Sequence, residues 1–327
     1  MVSELNVHYL PKKGEDLKVT TFSVVSVNSL AIVIFCRGKC GLSECLIRYI
    51  MSMAAADLTV LIFHVVFQRI NAMYLSISFL FLTPVCKVTF VAYFVAVDCS
   101  VWYTVAFTFD RCIAICSQNI HSKYCSKKTS AVVITTIFVA SCLRSIPFYY
   151  MFEPAVTIDN VPWFCKPTAD YLTSPLWKAF EWIDSTITPL LPIILILLFN
   201  AVTVRYIFIA NRIRTALRGT SETVRDPELQ NRRKSMILLF SISANFVLLW
   251  MVYVMHSVMY PVINFFYRDK YSSSHIHIFQ QVGFMLQLLS CCTNTCIYGL
   301  TQRKFRAELK TGFQYILTLN GRLWERQ

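Results

Sequence analysis

Charged side chains are scarce: Asp, Glu, Lys and Arg make up only 15% of the 327 residues, against about 25% in ordinary soluble domains. A large soluble core would need charged surface interleaved with its apolar stretches. Here the charges are confined to gaps between apolar runs long enough to cross a bilayer, which excludes a soluble fold. The 13 cysteines include no C-x-x-C pair and no regular spacing, so neither a zinc site nor a disulfide scaffold is indicated. No Ser-His-Asp set, metal-ligand pattern or phosphate loop stands out, so an enzyme is not expected. Internal repeats of the solenoid or inverted-repeat transporter kind are missing. A cleavable signal peptide is not expected either, because Met1 to Asp16 is polar and charged; the first apolar run is expected to serve as the targeting signal itself.

Apolar sequence, by contrast, is abundant, at 56% of residues. It forms runs at roughly 19–36, 46–68, 83–116, 129–150, 176–209, 235–262 and 274–300, each near or above the ~20 residues that span a bilayer as a helix. The expected fold is therefore an all-α membrane protein, a seven-transmembrane helix bundle. Gaps after odd-numbered runs carry Arg37, Lys39 and Arg48, then Lys123, Lys127 and Lys128, then a cluster from Arg212 to Lys234. Gaps after even-numbered runs carry few: Arg69, then Lys166, then Arg268 and Lys270. The positive-inside rule then puts the N-terminus outside and the C-terminus in the cytoplasm, in a multi-pass protein. The formal net charge of +13 reads as topology and contact with anionic lipid. Nucleic-acid binding would need a basic face on a soluble module. No N-x-[ST] acceptor lies in the N-terminal segment or the outer gaps, so glycosylation is not expected there.

The third run holds the most specific signal. Asp110-Arg111-Cys112 closes its inner end and Cys86 opens its outer end, 25 positions before Arg111. At ~1.5 Å per residue that is about 37 Å of helix, enough to cross the membrane. Bland readings exist for each residue: Asp110 and Arg111 could be a solvated ion pair worth little, and the aromatic residues Phe246 and Trp250, four apart on one face of the sixth run, could be core filler. Asp57, well inside the second run, could be a protonated, hydrogen-bonded group, although ionisable residues inside a span usually carry function.

Taken together, these residues resemble the rhodopsin-like G-protein-coupled receptors, over nearly the whole chain. The resemblance implies that Cys86 pairs with Cys165 in the gap between the fourth and fifth spans. It implies that Asp110 holds Arg111 in the resting state and releases it to a G protein on activation. Phe246 and Trp250 match the family's aromatic switch pair; Asn294-Thr295-Cys296-Ile297-Tyr298 resembles its Asn-Pro-x-x-Tyr with the proline replaced; Pro192 matches the proline of the fifth span. Asn28, Asp57, Ser100 and Asn294 match its inter-helix polar network and sodium pocket, with Ala96 at a position usually polar. Two departures touch the switch. Val252 stands where a kinking proline is usual, implying a straighter sixth helix or another source of bend. Asn200 stands where a tyrosine usually meets the arginine.

After Tyr298, Phe305 and Leu309 share one face against Arg303, Lys304 and Arg306, which reads as a short amphipathic eighth helix. The expected division is an extracellular segment over 1–18, the bundle over 19–300, and the amphipathic helix and cytoplasmic tail over 301–327. Short stretches such as Ser145 to Tyr150 resemble an orphan subgroup responsive to aromatic amino acids. By that likeness Phe90, Tyr93, Phe94 and Val97 of the third span face the ligand cavity. Asp184 and Ser185 of the fifth, Trp250, Tyr253 and His256 of the sixth, and Gln287 of the seventh complete it. Aromatic walls suit a flat apolar ligand, while Phe90 and Tyr253 replace the subgroup's charged clamp. Tyr93 at the position of the amine receptors' aspartate argues against biogenic amines. Asp98, Arg144 and Asp184 are charges at membrane depth, and Arg144 is expected to pair with Asp98 or Asp184.

The implied function is a plasma-membrane receptor that couples an extracellular aromatic amino acid or short peptide to a heterotrimeric G protein, the subgroup pointing to the phospholipase-activating class. Expected partners are that G protein, the ligand and membrane lipids, with no nucleic acid. No cofactor is expected beyond a structural sodium ion. The alternatives are a constitutive or decoy receptor of the same fold, or a transporter or channel using Asp57, Asp98 and Arg144 as an ion path.

Overall fold

The computed structural model describes residues 25, 26, 28–37, 42–70, 78–217, 227–266 and 273–311. The segment expected outside (1–18), the end of the tail (312–327) and the centre of the basic loop between the fifth and sixth spans (218–226) lie outside them. Helix α1 covers residues 28–36. It is followed by α2 (Glu44–Val60), extended by wider turns over Leu61–Ile70, then α3 (Thr83–Cys116) and α4 (Lys127–Ser145). Helix α5 (Leu191–Leu217), α6 (Pro227–Phe266), α7 (Ser273–Thr301) and α8 (residues 303–311) complete the bundle. Among the described residues five stretches are long and apolar enough to cross a membrane: Glu44–Gln68, Thr83–Cys116, Lys127–Tyr149, Pro175–Ile213 and Ser235–Met259.

Local chemistry marks where these helices begin. Ser43 caps α2, its hydroxyl accepting from Leu46 N with Glu44 in the first turn, where the helix dipole favours a carboxylate. Ser126 does the same for α4 through Thr129 N at 3.0 Å, and Pro84 occupies the first turn of α3, where its missing N–H costs nothing. The fifth span is not one run. Pro175–Ser185 is helical, then Thr188 leaves helical geometry at φ −144°, ψ 112° beside Pro189, and regular helix resumes at Leu191. The irregularity falls at Thr188 because a proline, here Pro189, disfavours helical geometry in the residue that precedes it. Helix α6 begins at Pro227, not near 235. Lys and Arg are good helix formers, so the end of an apolar run marks where lipid stops and not where the helix does.

The described part of α1 and helices α2, α3, α6, α7 and α8 share one apolar core, which includes Phe35, Ile50, Met53, Phe107, Leu239, Tyr298 and Phe305. A second core joins α3, α5 and α6 through Val101, Ile196, Phe246 and Trp250. Outward faces remain apolar: little of the stretch Lys127–Tyr149 is buried by protein, with Val132, Phe138, Val139 and Leu143 exposed, as a lipid-facing helix requires. Arg303, Lys304 and Arg306 of α8 are exposed while Phe305 is buried.

Between α4 and α5 lies the one β-sheet among the described residues, an antiparallel hairpin of β1 (Phe152–Ile158) and β2 (Val161–Pro167). Its two-residue turn, Asp159-Asn160, has φ of 51° and 61°, the left-handed pair a tight hairpin needs and Asp and Asn tolerate.

Helices α6 and α7 meet closely at Gly283, where an added Cβ would lie 3.2 Å from Tyr253 Cα. Both sides of that contact are backbone. Gly283→Ala is expected to destabilise the bundle by about 1–3 kcal/mol, seen as a lower melting midpoint of the purified protein; an unchanged midpoint would mean the helices part without cost.

Candidate functional site

Arg111 is buried, at the end of α3 where α2 begins. Its Nε donates to Asp110 Oδ2 at 3.0 Å, and one terminal nitrogen donates to the same oxygen. The other carboxylate oxygen, Oδ1, faces away from Arg111: the Cys45 thiol donates to it at 3.5 Å and His121 Nε2 lies 3.9 Å from it. His121 belongs to the short helix Gln118–Tyr124 between α3 and α4. Burial holds its imidazole below the usual histidine range, the Asp110 charge pulling the other way.

At the opposite end of α3, Cys86 is bonded to Cys165 of β2, and the Thr83 hydroxyl donates to Phe164 O at 2.8 Å. The hairpin is thus tied across the first turns of α3. The two features expected at opposite ends of the third span do lie at opposite ends of one helix.

Midway, Asp57 is fully buried and accepts from the Ser100 hydroxyl and from Asn294 Nδ2, the latter at 2.9 Å. Asn28 makes no such contact with Asp57. Its Nδ2 donates to Cys291 O at 3.2 Å and its Oδ1 accepts from the Thr295 hydroxyl at 2.6 Å. Thr295 stands where the family motif has proline, and its hydroxyl links α7 to α1 in a way that sequence reasoning missed. Thr295→Ala leaves Asn28 Oδ1 buried without that donor, at a cost of about 1–3 kcal/mol. A lowered melting midpoint is expected, with Thr295→Ser close to the parent; equal midpoints for all three would show that the bond contributes nothing.

Phe246 and Trp250 stack with centroids 5.2 Å apart, and Trp250 meets Tyr253 edge-on at 6.0 Å. Asn200 accepts from the Ser243 hydroxyl at 3.4 Å, tying α5 to α6. Tyr298 is fully buried against Phe35 and Phe305, and its hydroxyl makes no hydrogen bond. Pro192 packs at the start of regular α5 and is buried.

The ten residues expected to line a cavity separate into groups. Phe90 stacks on Phe152 of the hairpin at 4.4 Å, and Phe94 on Phe148, beyond α4, at 3.9 Å. Tyr93 stacks on His64 of the wide-turn segment after α2 at 4.8 Å; His64 was not anticipated, since a single histidine in an apolar run gives no pattern to read. Val97 and Tyr253 join the core around Trp250, Tyr253 also meets Phe284 at 5.6 Å, and His256 faces Phe279 at 6.3 Å. Gln287 is buried on α7. Ser185 ends the first helical part of the fifth span, directly after Asp184.

Asp184 is engaged by Arg144. The guanidinium makes a two-point pair with Asp98, Nε to Oδ2 at 2.7 Å and Nη2 to Oδ1, while Nη1 pairs with Asp184 Oδ1. One cation bridges α3, α4 and the fifth span, and the planar fork of arginine suits this double task. Sequence reasoning offered either carboxylate; the structure uses both.

The family model described as 7 transmembrane receptor (rhodopsin family) matches residues 27–298. The chain belongs to that family: it is a rhodopsin-like receptor, a helical membrane bundle with a signalling role.

Proposed function

We propose that the chain is a plasma-membrane receptor, N-terminus outside, that transmits binding of a small extracellular ligand to a heterotrimeric G protein. The observation that carries this reading is the arrangement along α3, with Arg111 held by Asp110 at one end and the hairpin tied by Cys86 at the other. Arg111 is the G-protein contact, restrained by Asp110 at rest. Phe246 and Trp250, Asn294 and Tyr298, Pro192 and Asn200 form the switch between two discrete helix arrangements. The unbonded Tyr298 hydroxyl supports this reading, since a buried donor without a partner at rest gains one when helices move. Asp57, Ser100 and Asn294 make the central polar network, with Asn28 beside it through Thr295, and Asp57 is where a sodium ion would sit.

The ligand enters between α3, α5, α6 and α7 on the hairpin side and meets Tyr93, Val97, Trp250, Tyr253, His256 and Gln287, with Phe90, Phe94 and Ser185 behind them. An aromatic amino acid or short peptide fits these walls. Arg144 already serves two carboxylates, leaving the Asp98–Arg144–Asp184 set with one excess negative charge. Asp184 therefore suits a ligand ammonium, and Arg144 does not serve as a clamp for a ligand carboxylate. Cells expressing the chain, challenged with aromatic amino acids and short peptides, are expected to raise inositol phosphates. Flux of a tested solute through vesicles holding only this protein, with no second-messenger response in cells, would favour a transporter instead.

A further inference from the structure

The start of α2, the end of α3 and the short helix that follows it bring metal-ligating atoms together beside Arg111. The donor atoms of Cys45, Asp110 and Cys125 lie within 4.8 Å of one another, with Cys45 Sγ 3.5 Å from Asp110 Oδ1. His121 Nε2 is 3.9 Å from the same oxygen, and it is a buried nitrogen that makes no hydrogen bond. Cys125 follows His121 by four residues, and its backbone N–H donates to His121 O at 2.7 Å, so both belong to one helical turn. Cys45 is buried, while Cys125 is partly open to solvent, which leaves an entry path.

We propose that Cys45, Asp110, His121 and Cys125 form a tetrahedral zinc(II) site. Two thiolates, one imidazole and one carboxylate are a donor set that zinc accepts and that calcium or magnesium does not. Bond lengths of about 2.0–2.3 Å put neighbouring donors roughly 3.3–3.8 Å apart in a tetrahedron, so Cys45, Asp110 and Cys125 close with shifts of about an ångström, and His121, already 3.9 Å from Asp110, completes the set by a larger swing of its ring. On binding, two S–H bonds break, two Zn–S bonds form, the protons pass to solvent and the ion sheds its waters. The +2 of the ion is offset by the two new thiolate charges, so the net charge beside Arg111 is unchanged. Asp110 meets the metal through Oδ1 and keeps Arg111 on Oδ2, so zinc would pin the turn His121–Cys125 to α2 and α3 while Arg111 stays held. That last consequence rests on the receptor reading; the site itself does not.

Full-length protein in lipid nanodiscs, with cobalt(II) as the probe, tests the site without any signalling readout. The expected result is one cobalt per chain with thiolate-to-cobalt charge-transfer absorption and tetrahedral bands. Cys125→Ser should lose the absorption, His121→Ala should shift the bands and weaken uptake, and zinc should raise the melting midpoint of the parent but of neither variant. Absorption missing from the parent, retained in full by both variants, or replaced by a recovered Cys45–Cys125 disulfide would overturn the proposal.

Discussion

Arg144→Ala is expected to remove the protein from the cell surface. The substitution leaves Asp98, whose side chain is 3% exposed, and Asp184 without their shared cation. Breaking a buried pair by removing one partner costs about 3–5 kcal/mol, because the remaining charge stays desolvated, and here two carboxylates are left close together. That is a large fraction of a typical folding free energy of about 5–15 kcal/mol. Surface labelling of a tagged chain measures it. Partial recovery is expected when Asp98→Asn is added, since an amide bears no charge to strand. Normal surface expression of Arg144→Ala with loss only of ligand response would instead make Arg144 a binding residue.

Arg111→Ala has the opposite profile. Its guanidinium bonds the adjacent Asp110, one residue before it at the end of α3, and stitches no distant helix to another. Removing it should leave surface expression near the parent and abolish G-protein activation, so that inositol phosphate falls to the level of cells lacking the chain. Unchanged signalling would sink the coupling role. A high basal signal in the parent, lost in Arg111→Ala and indifferent to ligand, would identify the constitutive variant of the same reading.

Single residues that are costly in lipid were readable in advance. Asp57, Asp98, Arg144 and Asp184 stand out because hydrocarbon makes a lone charge expensive, and such cost demands a partner whose class, though not its position, can be inferred. What could not be read was convergence in space. Asp98, Arg144 and Asp184 lie on three segments, so nothing in their spacing reveals that one guanidinium serves both acids. The same holds for Cys45 and Asp110, 65 positions apart; only the local His121-x-x-x-Cys125 pair was present to be noticed. Phe90 and Phe94 illustrate a different limit. Helical periodicity puts them on one face, but which neighbour that face meets depends on the hairpin and on Phe148. Thr295 was visible as a departure from the family motif, while its bond to Asn28 depended on α1 and α7 meeting at that height.

Coupling to a G protein requires the end of the bundle that holds Arg111 to face the cytoplasm. Tyr298 and Phe305 pack in the same core as Cys45 and Ile115, so the segment after α7 emerges at that end and its sidedness reports on Arg111 directly. An epitope placed after Gln327 should be stained only once cells are permeabilised, and one placed before Met1 should be stained on intact cells. Staining of the Gln327 epitope on intact cells would put Asp110 and Arg111 outside, beyond the reach of any G protein, and contradict the account.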